Sequence, residues 1–220
     1  TKSLPCSLWF FDKGKKEELW DKVLFIDARN YYTVVDRTLN EWSDWQLKNL
    51  NAIVWLYRGE IDQYQTLLDE YTEVLGNRDF AAALKTLEEQ KAQLTADGKE
   101  AAAAAPRKEK KAVEAEYAQK IATVEESIVV AKEALWLTEK FGEGEYADIP
   151  GLCRVATLGE IEAKGYSLTP GAYVGVAPTE DDGVDFHQRM TEIHQELRSL
   201  QEESNRLMET ISKNWEEMGL

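Results

Sequence analysis

The C-terminal region carries a heptad pattern that limits what the protein can fold into. Large apolar residues recur there at steps of four, three, four and three, which predicts one long helix over residues 184–218 with a single apolar face. The apolar positions are Phe186, Met190, Ile193, Leu197, Leu200, Leu207 and Ile211. Each large side chain left in water forgoes about 1.5–3 kcal/mol. The pattern therefore indicates a helix that docks onto other helices.

The rest of the sequence predicts a mainly α protein with a small β part. Apolar runs at residues 4–11 and 23–27 predict two short strands. Thr38 and Glu41 have the spacing of a capping box, and Gly59 suits a helix C-cap. Residues 61–140, rich in Ala, Glu, Lys and Gln, predict an antiparallel helical hairpin whose tip lies between Asp97 and residue 111.

The acidic net charge argues against direct, non-specific binding of this protein to nucleic acid. The chain has 220 residues and a formal net charge of −15, whereas non-specific DNA binding needs clustered Lys and Arg. The short basic run at residues 107–111 is interpreted as a solvated loop tip, with contact to DNA phosphates as the alternative. No run of about 18 apolar residues occurs, so we expect no membrane span and a cytoplasmic protein. Because the sequence begins with Thr1 and not with Met, we expect this chain to be a fragment of a larger domain.

No complete active site is apparent in the sequence. Gly-rich phosphate loops, nucleophile clusters and Cys/His metal spacings are absent. We therefore predict no catalytic, cofactor-binding or metal-binding residues in this chain. His187 and His194 are interpreted as solvated or rim-packed imidazoles, and Cys6 and Cys153 as small buried residues in a reducing compartment.

Four short blocks carry a resemblance to a known family. They are LPCSLWFFDK at residues 4–13, VLFIDAR at residues 23–29, residues 149–156, and YSLTPGAYVG at residues 166–175. In this order they resemble the C-terminal part of the modification (M) subunit of type I restriction-modification systems, which are N6-adenine DNA methyltransferases. The chain departs from the family at Ala172, where Arg is frequent, and in residues 61–140, which look like an enlarged insertion.

The resemblance implies a division into four segments. Residues 1–35 would be the trailing strands of a Rossmann-like methyltransferase sheet, and residues 36–148 a helical region with the long hairpin. Residues 149–183, here called the collar, would be turn-rich, and residues 184–220 would be the docking helix. The collar residues expected to set its shape are Pro150, Gly151, Pro170, Gly171 and Tyr173.

The resemblance also implies a function and partners. The parent protein would use S-adenosylmethionine, but the sequence has neither its glycine motif nor an Asn/Asp-Pro-Pro-Tyr/Phe motif, so we expect no cofactor in this chain. Expected partners are the specificity subunit, a second M subunit and the restriction subunit, with DNA bound through the assembled complex. The alternatives are a self-contained coiled-coil structural or dimerisation protein, and a chain that retains methyltransferase activity.

Overall fold

The chain divides into two units, residues 1–177 and residues 178–220. The computed structural model describes residues 6–37, 39–177 and 186–217, without the side chains of residues 186–188, 213, 216 and 217. The first unit, here called the body, is mainly helical with two small antiparallel sheets. The second contains a long helix. The predicted fold class, mainly α with a small β part, a helical hairpin and a long C-terminal helix, is confirmed.

The elements follow one another in the chain as seven α-helices and four strands within the described residues. The helices are α1 Asp44–Arg58, α2 Ile61–Leu75, α3 Phe80–Ala104, α4 Lys110–Phe141, α5 Leu158–Ala163, α6 Gly171–Val174 and α7 Phe186–Glu217. The strands are β1 Lys22–Ile26, β2 Thr33–Val34, β3 Asn40–Glu41 and β4 Cys153–Thr157. Strand β1 pairs antiparallel with β4, and β2 pairs antiparallel with β3.

Helix α1 begins later than the sequence pattern predicted. Its N-cap is Ser43, whose Oγ accepts a hydrogen bond from the backbone N–H of Gln46, while the Gln46 side chain accepts one from the N–H of Ser43. Thr38 lies outside the described residues, and Glu41 pairs in β3, which excludes it from the helix. The predicted capping box was therefore wrong. Gly59 is confirmed as the C-cap, with a φ of 71°.

The first apolar run does not form the predicted strand. Residues 6–11 have no regular structure, and Leu8, Trp9, Phe10 and Phe11 are 73%, 62%, 89% and 87% exposed. The second run is confirmed as β1, but its partner is β4. A strand needs a neighbour for its backbone groups; the two sheets of the described residues pair β1 with β4 and β2 with β3, and residues 6–11 belong to neither.

Helices α3 and α4 form the antiparallel hairpin, and α2 is a separate helix closed by Gly76. The turn between α3 and α4 contains Pro106, whose carbonyl accepts hydrogen bonds from the N–H groups of Glu109 and Lys110. The predicted tip between Asp97 and residue 111 is confirmed, since the turn comprises residues 105–109, and Gly98 lies inside α3. A Cβ at Gly98 would lie 3.0 Å from Cγ of Tyr117, so the glycine permits a close helix–helix approach.

The core of the body lies between α1, α2 and the C-terminal half of α4. Its fully buried side chains include Ile53, Tyr64, Leu68, Tyr71 and Leu137. A second, smaller core beside β1 contains Phe25, Ala156, Ile161, Tyr173 and Val174. None of the described helices has the length and apolar character required to cross a membrane.

A polar network ties the main core together. Asn49, fully buried on α1, donates hydrogen bonds to the Glu133 carbonyl at 3.0 Å and to the Tyr31 hydroxyl at 2.9 Å. It accepts one from the Tyr71 hydroxyl at 2.9 Å. Because these residues lie on α1, α2, α4 and the segment after β1, one side chain fixes the relative positions of four parts of the body.

Candidate partner interface

The apolar stripe predicted for the C-terminal helix lies on one exposed face of α7. The helix has 32 residues and is therefore about 48 Å long. The exposed fractions are 49% for Met190, 37% for Ile193, 59% for Leu197, 55% for Leu200, 58% for Leu207 and 48% for Ile211. These six residues are here called the seam. Phe186, predicted with them, is the first residue of α7, and its side chain lies outside the description.

Contacts inside α7 are local and polar. Arg189 pairs with Glu192 at 3.1 Å, and Gln201 donates a hydrogen bond to Asn205 at the same distance. Such exposed pairs contribute only about 0.2–0.5 kcal/mol each to a helix. Helices in proteins gain most of their stability by packing an apolar face. The seam is thus the feature of α7 with the most free energy to gain from a partner.

The collar is built around Tyr173, one of the residues singled out from the sequence. Its ring is 3% exposed and stacks on Phe25 of β1, with ring centroids 4.0 Å apart and an interplanar angle of 8°. Its hydroxyl donates a hydrogen bond to the Ser167 carbonyl. Pro170 precedes α6, and its carbonyl accepts hydrogen bonds from the N–H groups of Tyr173 and Val174. The turn at Pro170 therefore places the Tyr173 ring in the smaller core.

Gly151 joins the two ends of the described collar. Its φ of 79° lies in the left-handed region, and its N–H donates to the Val174 carbonyl at 2.8 Å. A Cβ at this position would lie 2.6 Å from the backbone nitrogen of Ala177, closer than any side chain tolerates. Pro150, the exposed residue before it, lies in the turn between Ile149 and β4. Only glycine fits at residue 151.

Gly171 lies beside an ion pair that the sequence reasoning missed. A Cβ there would be 3.1 Å from Nη2 of Arg29, which pairs with the Asp27 carboxylate at 2.6 Å. The hydrogen bond from Arg29 holds the pKa of Asp27 below its usual range. The Asp27 N–H also donates to the Leu152 carbonyl at 2.7 Å, so the pair joins β1 to the collar. The signal in the sequence that could have revealed this ion pair is the VLFIDAR block at residues 23–29, which contains both Asp27 and Arg29.

The thiols and imidazoles show no catalytic arrangement in the part of the chain that the structure describes. Cys153 is buried, as predicted, and burial raises the pKa of its thiol, which opposes a reactive thiolate. Cys6 is exposed, so its predicted burial was wrong. It belongs to the N-terminal run that the described residues leave uncovered. His194 is exposed on α7, and no group of three His, Cys, Asp or Glu side chains among the described residues could hold a metal ion.

S-adenosylmethionine does not fit the described residues. Nucleotide-type cofactors bind at a glycine-rich turn between a strand of a parallel sheet and a helix N-terminus. Both sheets here are antiparallel and two-stranded. At the direct strand-to-helix junction, from β4 to α5, the capping box of Thr157 and Glu160 already occupies the helix N-terminus.

Comparison with known proteins supports the resemblance. The family model for N-6 DNA methylases matches residues 1–93. The methylase subunit of the type I restriction enzyme MjaIX of Methanocaldococcus jannaschii is 25% identical over 217 residues, which is 99% of this chain and 24% of the relative. The HindI methylase subunit of Haemophilus influenzae is 42% identical over 69 residues, 31% of this chain and 16% of the relative. No solved structure matches.

The family model and the alignment with the MjaIX subunit differ in how much of the chain they cover. The family model covers the N-terminal blocks with α1 and α2, whereas the alignment with the MjaIX subunit spans nearly the whole chain and so includes the collar and α7. The resemblance drawn from four short blocks is thereby confirmed: the chain is homologous to the methylase subunits of type I restriction enzymes.

Proposed function

We propose that this chain is part of the M subunit of a type I restriction-modification DNA methyltransferase, and that α7 assembles it with the specificity subunit. The observation that carries the proposal is the seam, whose six side chains remain 37–59% exposed. The homology supplies the context, because the relatives are named as subunits of larger enzymes.

The seam favours a helical partner with a particular charge pattern. Steps of three and four residues match the packing of one helix against another. Glu196 and Glu203 flank the seam one position before Leu197 and Ser204. In a coiled coil such flanking carboxylates pair with basic residues of the facing helix. The partner helices should therefore present an apolar stripe bordered by Lys or Arg, and Ser204 would fix the register.

The N-terminal segment supports a second contact, with the remainder of the methylase domain. Residues 8–11 are four consecutive large apolar residues, and all four are exposed. We place residues 1–35 at the trailing edge of a Rossmann-like methyltransferase domain, because the family model matches residues 1–93. In this proposal, N6 methylation of adenine with S-adenosylmethionine belongs to the complete subunit in the cytoplasm, together with a second M subunit, the restriction subunit and DNA.

Coexpression with a specificity subunit tests the assembly role. Size-exclusion chromatography should show a stable complex that Leu197→Asp abolishes, because the variant buries a charge in the seam. Gln195→Asp is the matched control. It adds the same charge on the opposite face of α7 and should leave the complex intact. If the two variants behave alike, or the partner never changes the elution volume, the proposed interface is wrong.

A self-contained coiled-coil dimer is the competing function, because two copies of α7 could cover each other's seam. Sedimentation of the chain alone distinguishes the two. A dimer that Leu197→Asp converts to monomer, together with indifference to the specificity subunit, would favour the competitor. Calorimetry with S-adenosylmethionine tests retained activity of this chain. We expect no binding, and micromolar binding would mean that the chain holds a cofactor site.

A further inference from the structure

The tip of the α3–α4 hairpin is a basic region on an acidic protein. Residues 99–111 contain five basic and two acidic side chains, whereas the whole chain has a net charge of −15. Arg107 and Lys108 lie in the turn, and Lys110 and Lys111 begin α4. All four, and Lys99 at the end of α3, are exposed.

Three of the tip cations lack the ion pairs that Lys91, Lys120 and Lys132 make farther along the hairpin. Lys91 pairs with Glu125 at 2.7 Å, and Lys120 pairs with Glu116 at 2.6 Å. By contrast, Arg107, Lys108 and Lys111 have no described carboxylate within 4.0 Å. Cations in the first turn of a helix also oppose its dipole. The placement of these three charges is therefore not explained by the stability of the hairpin.

The hairpin holds these charges away from the main core of the body. Helix α3 has 25 residues and so extends about 37 Å from Phe80, which is buried in the core against Tyr71. Near the tip the two helices pack closely, with Gly98 against Tyr117 and Ala102 buried. Since charges are screened over about 10 Å at 0.1 M salt, the carboxylates of the main core region do not cancel the field at the tip.

We propose that this tip binds the phosphate backbone of duplex DNA, without reading its sequence. The proposal rests on the proposed function as part of a DNA methylase. The polar side chains at the turn are Arg, Lys and Glu, and Arg and Lys are among the side chains that donate hydrogen bonds to DNA phosphates. Exposed Lys and Arg on a stiff arm supply what phosphates attract, and such contacts position a protein on DNA rather than specify the site.

Binding of a fluorescent duplex to the complex with the specificity subunit, measured by anisotropy at several salt concentrations, tests the tip. The variant combines Arg107→Gln, Lys108→Gln and Lys111→Gln. Each phosphate contact contributes a slope of about −0.9 in log K against log salt. Three contacts would therefore account for about a 40-fold loss of affinity between 50 and 200 mM salt. In the variant, the slope of log K against log salt should be less negative by about 2.7.

The matched control combines Lys91→Gln, Lys120→Gln and Lys132→Gln, which removes three cations from the same two helices away from the tip. It should retain the wild-type salt slope, and circular dichroism should show both variants folded. If the two variants bind DNA alike, the tip does not contact phosphate and the inference is overturned, including the case in which the tip serves an acidic protein. The complex used in the assay reports separately on the proposed assembly, because a failure of assembly appears in chromatography before any DNA is added.

Discussion

Helices α2 and α7 have similar sequence patterns and opposite surroundings. The apolar face of α2 is 0–2% exposed at Tyr64, Leu67, Leu68 and Tyr71, because α1 and α4 cover it. The seam of α7 repeats at the same helical spacing and remains 37–59% exposed. Periodicity thus determines which residues share a face, whereas burial depends on what the rest of the fold brings to that face.

Hydrogen exchange should show the largest difference between the two helices. Core amides open only at a cost close to the global stability, which for domains is about 5–15 kcal/mol, while weakly packed segments open near zero cost. Amides of α2 should therefore be protected and those of α7 exchange rapidly in the chain alone. Adding the specificity subunit should slow exchange in α7. Equal protection of both helices without a partner would contradict the comparison.

Truncation of one leucine in each helix gives the next largest contrast. Leu68→Ala removes a side chain that is 1% exposed and should lower the free energy of unfolding by about 2–5 kcal/mol. Leu197→Ala should change it by less than about 0.5 kcal/mol. Urea unfolding monitored by tryptophan fluorescence measures both. A comparable loss in both variants would place the seam in the folded core of the chain.

Buried and exposed amides should differ in the same way. Asn49→Ala leaves the Tyr71 hydroxyl and the Glu133 carbonyl without a shared partner, and should cost about 1–3 kcal/mol. The control is Gln201→Ala, which removes an exposed hydrogen bond to Asn205 on α7. It should have no measurable effect on body unfolding. A small effect of Asn49→Ala would show that the network is replaced by water.

The collar extends the comparison to an irregular segment. Gly151→Ala should destabilise the body by about 1–2 kcal/mol from the left-handed backbone alone, with a further loss because Cβ would lie 2.6 Å from the Ala177 nitrogen. Gly159→Ala is the control: its Cβ would be no nearer than 4.0 Å to Thr157 Oγ1. Thermal unfolding should separate the two. An unchanged melting temperature for Gly151→Ala would show that the collar end is not held as described.

The smallest expected effect concerns pH. Because the Arg29 hydrogen bond lowers the pKa of Asp27, this pair stabilises the body above the ordinary aspartate pKa of about 3.9, and the contribution is lost as pH falls through the lowered value. Asp27→Asn should therefore reduce stability slightly at neutral pH and not in strong acid. Glu192→Gln on α7 should change body stability at neither pH. A pH-independent loss for Asp27→Asn would point to packing against Gly171 instead.

Local signals predicted the elements whose causes are themselves local. Gly59 was identified as a C-cap, and the structure confirms it because the cap depends on contacts within four residues. The heptad steps placed the seam residues on one helix in the same way. The sequence therefore predicted which face of α7 forms the proposed interface.

Long-range contacts explain the errors. Thr38 with Glu41 and Ser43 with Gln46 satisfy the same capping pattern, and the pairing of β2 with β3 selects the second. The role of Gly98, which admits the Tyr117 ring, also depends on a residue of the neighbouring helix. The pair of Asp27 and Arg29 is local, but its place against the collar depends on Leu152 and Gly171, which are far away in sequence.

The sequence by itself determined that the chain is mainly helical, the Gly59 cap, the homology and the existence of an apolar stripe, because these depend on residue types and their spacing. Only the tertiary structure decided that β1 pairs with β4, that Tyr173 packs on Phe25, and that the apolar face of α2 is covered while the seam of α7 is exposed. The physical reason is that burial belongs to pairs of surfaces: one amphipathic sequence specifies its own face, and the other chain segments determine whether water remains on it.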